Sequence, residues 1–301
     1  MCLESCSMSD IQSTQKIRGV LLVASGVLII SFDALLVRLA AVDGWNVSFW
    51  RGTFMALSML PLCWRNSVKD KKVQQDYRGL WPAALLMATS TVALVLAFTL
   101  TKASNAVVIL SASPLFAAVF SQLFLREKCP LKTWLAILSC LCGVTWVMSG
   151  SMGNGKLIGD LLALVSALCI GGYFTVYRSN ANLPPPSVII RAGLLMALAT
   201  LLLATPLALP LPSYGWLMLA GMVQMPAASL LMAHSTRYLP AAEVSLFLLL
   251  ETILAPIWVW MVFSELPPEA TLAGGVLILL TLTLHTLSGI HWKVSGWNNL
   301  L

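Results

Sequence analysis

The sequence predicts an all-α membrane protein: ten transmembrane helices, built as two inverted five-helix repeats. Three observations lead there. Hydrophobic residues make up 58% of the chain and charged residues only 10%, where ordinary soluble domains carry about 25% charge. The apolar residues gather into runs near the ~20 residues that a helix needs to cross a bilayer. The chain also repeats itself at an offset of 138–140 residues.

The apolar runs place spans at 19–42, 46–64, 79–101, 104–125, 132–150, 157–178, 188–209, 213–233, 240–263 and 270–291. Turn-forming and charged stretches separate them: Asp43–Gly44, the charged run Arg65–Arg78, Gly150–Gly155, Pro184–Pro186 and Pro210–Ser213. The expected organisation is a cytoplasmic tail over 1–16, a first repeat over 17–150, a second over 155–292 and a second cytoplasmic tail over 293–301. Met1–Gln15 is polar and lacks the apolar core of a signal peptide, so the first span is expected to act as an uncleaved anchor.

Lys and Arg set the orientation. With the N-terminus inside, the inner side holds fourteen: Lys16, Arg18, Arg65, Lys69, Lys71, Lys72, Arg78, Arg126, Lys128, Lys132, Arg178, Arg191, Arg237 and Lys293. The outer half holds Arg38, Arg51, Lys102 and Lys156. Cytoplasmic loops collect the positive charge, so both termini are expected in the cytoplasm. Tryptophans fall near both ends of the spans, Trp258 among the outer ones, as in interfacial belts.

The repeat is clearest around the ninth span. Shifted by 138, Lys102–Leu135 lies over Pro240–Ala273 with six identities, and Glu127, Pro130 and Thr133 meet Glu265, Pro268 and Thr271. Ser113 then falls opposite Glu251. At a shift of 140, Arg51 meets Arg191, Arg38 meets Arg178 and Asp33 meets Tyr173. Five spans is an odd number, so the second copy enters the membrane from the other side. Inverted repeats are a transporter architecture, with the solute bound near the midplane where the repeats meet.

Other classes fit poorly. The net charge of +6 sits in short loops, without aromatic residues interleaved as in a nucleic-acid surface. The seven cysteines lie mostly in or beside apolar runs and read as small hydrophobes. Neither they nor His234, His285 and His291 cluster at metal-ligand spacing, so no metal or cofactor is expected. No G-x-x-x-x-G-K phosphate loop occurs, which argues against ATP-driven transport. No nucleophile–base pair points to an enzyme.

Ionisable groups inside a membrane are costly and commonly face the bundle interior. Asp33 lies about fourteen residues into the first span, or ~21 Å at 1.5 Å per residue. Glu251 falls near the middle of the ninth, Arg51 about five residues inside the second, and Arg38 near the outer end of the first. In one reading Arg51 or Arg38 attracts an anionic group of a solute, while Asp33 or Glu251 takes up a proton or holds a solute amine. In the other these charges form ion pairs that fix helix packing. Asp33 and Arg38, five apart, point in different directions and need partners elsewhere. Tyr173, Gln224 and Ser113 join the candidate pathway as neutral polar groups, Gln224 near mid-membrane, with Ser90 and Thr91 among the further hydroxyls.

These residues resemble a known family. Gln224–His285, with RYLPAAEVSLFLLLE, APIWVWMVFSE and AGGVLIL, is similar to the second EamA repeat of the drug/metabolite transporter superfamily. Arg51 in FWRGTFMAL resembles the arginine of the family's second span, and Asp160 in GDLLALVSAL the opening of its sixth. The resemblance covers roughly 17–290. It implies two inverted five-helix repeats in a bacterial inner membrane, and a secondary carrier exporting amino acids, metabolites, metallophores or drugs. Thr252 stands where the family often has Pro, and Ser31-Phe32 where it has Trp-Gly. The expected function is therefore alternating-access transport of a small organic solute, coupled to protons. An uncoupled facilitator, an importer, and a non-transporting scaffold or sensor are the alternatives. A closed ten-helix bundle fits a monomer or a homodimer.

Overall fold

The computed structural model describes residues 2–69, 79–126, 157–180, 183–205, 208–239 and 247–264, with residue 244 and parts of 135–146 and 269–284. Among the described residues there is no strand. Helices are what a bilayer demands, because every backbone N–H and C=O must be satisfied within its own segment.

Among the described residues eleven α-helices have defined bounds: α1 (Cys2–Ile30), α2 (Asp33–Ala40), α3 (Gly44–Lys69), α4 (Leu80–Leu100), α5 (Ala103–Leu110), α6 (Ser113–Leu125), α7 (Leu157–Ser179), α8 (Pro185–Thr200), α9 (Leu211–Met218), α10 (Met225–Ser235) and α11 (Leu249–Phe263). A π-helical turn, Leu219–Gln224, joins α9 to α10. Five stretches are long and apolar enough to cross a membrane: Ile17–Ala40, Leu80–Leu100, Ala103–Leu125, Leu157–Ser179 and Leu211–Ser235. Pro185–Thr200 and Leu254–Phe263 are shorter apolar helices where spans 7 and 9 were expected. Most of spans 5 and 10 lies outside the described residues. So do Glu127, Pro130, Thr133, Glu265, Pro268, Thr271 and the side chain of Thr252. Helix α1 begins at Cys2, so the polar stretch expected as a tail is helical.

Three of the crossing stretches are not single α-helices. The first breaks at Ser31–Phe32, where Ser31 Oγ turns back to donate to the Leu28 carbonyl at 2.7 Å. The stretch Ala103–Leu125 breaks at Ser111–Ala112. Pro114 has no N–H to give to the Leu110 carbonyl, so the first run ends at Leu110 and a second starts at Ser113. The stretch Leu211–Ser235 widens to a π turn just before Pro226, whose ring would crowd the carbonyl one turn back; Met225 N–H reaches the Ala220 carbonyl instead. Discontinuous helices expose backbone polar groups at mid-membrane, where transporters place their sites.

The helices pack through two apolar cores stacked along the bundle axis. One joins α2, the second half of α4, α5 and the first half of α7, around Val95, Phe98 and Ile109. The other joins α1, α3, the first half of α4, the second half of α7, α8 and α10, around Val27, Met55, Phe174 and Met196. Helices α3 and α8 cross at Gly52 and Gly193. A Cβ on Gly52 would sit 2.6 Å from the Gly193 carbonyl oxygen, so only glycine allows the approach. The outside is apolar: Leu21, Leu85, Phe124, Leu198, Leu202 and Met261 are all more than half exposed. Such a surface suits lipid and not water.

Candidate functional site

The break in the first span is where the polar side chains gather. Asp33 opens α2 immediately after it. Arg51 reaches Asp33 from α3: Nη1 donates to Oδ2 at 3.2 Å and Nη2 donates to Oδ1. Both side chains are 0% exposed. A two-pronged guanidinium–carboxylate contact is the strong form of an ion pair and fixes orientation as well as charge. The repeat-related positions diverge. Tyr173 replaces Asp33, and Arg191 is half-buried near the start of α8, donating to the Ser187 carbonyl at 3.0 Å and lying 5.6 Å over the Trp81 ring.

Two other elements hold the break. The Gln224 amide, at the end of the π turn, donates to the Ile29 and Ile30 carbonyls at 3.3 Å each. These carbonyls belong to the last turn of α1, whose acceptors lack in-helix partners. From α11, Trp258 Nε1 donates to Ser31 Oγ at 3.1 Å, and its ring stacks on Phe32 with centroids 4.7 Å apart. By sequence alone Trp258 reads as an interfacial belt residue. The available signal for this inward role was its place seven residues, two helical turns, after Glu251.

Glu251 sits in the first turn of α11, 2% exposed. It lines a cavity of about 70 Å³ at the junction of the two cores, with Ile30, Met87, Ser90, Thr91, Leu94, Leu110, Ile170, Tyr173, Phe174, Met225, Ser229, Met232 and Leu248. At ~30 Å³ per water that volume takes roughly two waters, so a metabolite-sized solute requires a wider conformation. Two of the polar liners are already engaged. Ser90 Oγ lies 2.9 Å from Ser166 Oγ, and Thr91 Oγ1 donates to the Met87 carbonyl at 2.9 Å. Tyr173 packs edge-on against Phe174 and Tyr177. The described hydrogen bonds of the Arg51 guanidinium go to Asp33.

The sequence-predicted residues thus divide into two groups. Glu251 and Tyr173 line the cavity. Asp33, Arg51 and Gln224 meet around the break in the first span, outside that lining. Ser113 is fully buried at the start of α6, its hydroxyl without a partner among the described residues. Arg38 occupies the last turn of α2, partly buried and away from the cavity. Met87, Phe174 and Met232 were not singled out for the cavity, because apolar liners look like any other core residue in sequence. No group of three or more metal-ligating side chains forms among the described residues.

A sequence profile of the EamA-like transporter family matches residues 17–149 and again 157–287. The chain belongs to the EamA-like transporter family. Its two matched segments are two EamA repeats, and this EamA-like transporter is a multi-pass integral membrane protein. It is 28% identical to a riboflavin transporter of Vibrio cholerae serotype O1 over 183 residues, 60% of this chain and 61% of that one. It is 25% identical to the pseudopaline exporter CntI of Pseudomonas aeruginosa over 184 residues, 59% of this chain and 63% of that one. The aligned part thus spans about three-fifths of each relative. A protein of known crystal structure superposes with a TM-score of 0.69 at 16% identity, covering 89% of this chain and 97% of that one. This last likeness concerns the fold alone.

Proposed function

We propose that this EamA-like transporter is a proton-coupled secondary carrier that exports a small organic solute by alternating access. Its ten spans form two inverted five-helix repeats, 17–150 and 155–292, with both termini in the cytoplasm of a bacterial inner membrane. The observation that carries the reading is the position of Glu251. It is the one carboxyl lining the cavity among the described residues, while Asp33 is occupied by Arg51. A carboxyl that a solute can reach is able to exchange a proton for it; one locked to a buried guanidinium is not free to do so.

In this mechanism Glu251 carries the proton, and Tyr173 and Ser229 offer hydroxyls to the solute. The Asp33–Arg51 pair ties α2 to α3. Gln224 and Trp258 keep the break in the first span in register with the π turn and with α11. The breaks at Ser31–Phe32 and Ser111–Ala112 are the places where the half-helices rock. Outward movement agrees with the exporter among the relatives.

Comparing metabolites inside and outside cells with and without the protein tests the reading. Export predicts one solute depleted inside and enriched outside. Accumulation inside would make the carrier an importer, and no change in any solute would favour a scaffold or sensor.

A further inference from the structure

Helices α3 and α8 hold equivalent places in the two EamA repeats and touch at Gly52 and Gly193. The contact is reciprocal. A Cβ on Gly52 would sit 2.6 Å from the Gly193 carbonyl oxygen, and one on Gly193 would meet the Gly52 carbonyl oxygen in turn. Contact of i with j and of j with i marks a local two-fold, and a two-fold exchanges the two ends of a seam. The sequence agrees: 141 positions separate Gly52 from Gly193, and the same 141 separate Asn46 from Ser187, which lie at opposite ends.

The chemistry at those ends is unequal. At one end Asn46, which is buried, binds Thr205 in the connection between α8 and α9. Asn46 Nδ2 donates to Thr205 Oγ1 at 3.2 Å, and the Thr205 N–H donates to Asn46 Oδ1 at 2.9 Å. Asp43 aims the amide. Its Oδ1 accepts the Asn46 backbone N–H at 3.1 Å, as a helix cap does, and its Oδ2 accepts from Asn46 Nδ2 at 3.2 Å. Both hydrogens of the amide and its oxygen are thereby engaged. At the other end the corresponding polar contact is Cys63 Sγ to Ser187 Oγ at 3.6 Å. A thiol is a weak hydrogen-bonding partner.

We propose that Asp43, Asn46 and Thr205 form a clasp that holds α3 and α8 together at the end which the proposed orientation places outside, so that the empty carrier rests with its cytoplasmic end ready to open. The proposal rests on the alternating-access reading and takes nothing from Glu251. A carrier built from inverted repeats changes state by exchanging the conformations of its repeats. One end of the α3–α8 seam then parts as the other closes. The backbones at Gly52 and Gly193, with no side chain between them, are the fulcrum. The balance between the two states is set by the difference between the end contacts. A fixed amide with two bonds across the seam outweighs one thiol–hydroxyl contact. For an exporter the bias has a direction: the resting chain loads its solute from inside.

The test is double electron–electron resonance on the full chain in lipid nanodiscs, with the seven native cysteines replaced by alanine. One pair of spin labels, at Ala41→Cys and Leu202→Cys, spans the clasped end, and a second, at Leu62→Cys and Ser179→Cys, spans the other; all four sites are exposed. Asn46→Leu should raise the ratio of wide to narrow distances at the clasped end about tenfold while the far pair narrows. Thr205→Val loses the hydroxyl and keeps the N–H. It should raise the ratio about threefold, and it is the variant to read if Asn46→Leu does not fold. Cys63→Ser in place of Cys63→Ala strengthens the far contact and should also open the clasped end. An unchanged clasped end in Asn46→Leu and Thr205→Val, or both ends widening together, overturns the proposal. Ends that exchange in a chain that moves no solute would remove the carrier reading and leave the clasp. Solute export by Asn46→Leu with wild-type distances would remove the clasp and leave the carrier.

Discussion

Arg51 grips Asp33 with both terminal nitrogens, Nη1 to Oδ2 at 3.2 Å and Nη2 to Oδ1, and neither side chain is exposed. The two residues are eighteen apart in sequence and sit on different helices, α2 and α3. Breaking such a pair strands one charge in the bundle. Asp33→Asn or Arg51→Met alone should cost about 3–5 kcal/mol. The double variant should recover a large part of that, which a double-mutant cycle of detergent unfolding reads directly. Two single effects that simply add would remove the pair as a stabilising contact.

Gln224 bridges the π turn and the break in the first span through the Ile29 and Ile30 carbonyls. Gln224→Leu keeps the bulk and deletes the donor. It should cost about 1–3 kcal/mol by leaving buried acceptors unmet. Hydrogen exchange should rise at residues 31–33 and not in α8, since the effect is local to the break.

Trp258 makes two separable contacts, a hydrogen bond to Ser31 Oγ and a stack on Phe32. Trp258→Phe retains an aromatic ring and loses the N–H, for about 1 kcal/mol. Trp258→Ala loses both contacts and a large buried surface, and should cost about 3–5 kcal/mol. The order of the melting temperatures, read by size exclusion after heating, checks this.

Gly52 and Gly193 let α3 and α8 touch backbone to backbone. A Cβ at Gly52 would meet the Gly193 carbonyl oxygen at 2.6 Å and Met196 Cβ at 2.8 Å. Gly52→Ala should therefore force the helices apart and cost about 1–3 kcal/mol. Gly215, whose Cβ would meet nothing within 4 Å, is the control: Gly215→Ala should be neutral or stabilising.

Membrane class and repeat were legible in sequence because each rests on many residues: twenty-residue apolar runs, an asymmetric distribution of Lys and Arg, and landmarks recurring after 138–140 positions. The inward charges were legible one by one, since an Asp or Glu in an apolar run stands out. Their pairing was not. Arg51 meeting Asp33, with Glu251 left facing the cavity, depends on how the helices rotate about their axes, and periodicity does not set that angle between helices. The break at Ser31–Phe32 carries no proline to announce it. The one at Ser111–Ala112 follows from Pro114, and the π turn from Pro226. Trp258 looked like a belt residue because its inward face is visible only when Ser31 and Phe32 are opposite it.

Glu251 as the proton carrier is tested most directly in proteoliposomes containing a trapped pH dye, with an imposed pH gradient and the solute found by the metabolite comparison as the transported probe. The wild type should move that solute against its gradient and collapse the pH difference as it does so. Glu251→Gln should fold, keep the Asp33–Arg51 pair, and show neither flux. Glu251→Gln transporting the solute at the wild-type rate, with the same proton counterflow, would contradict the mechanism.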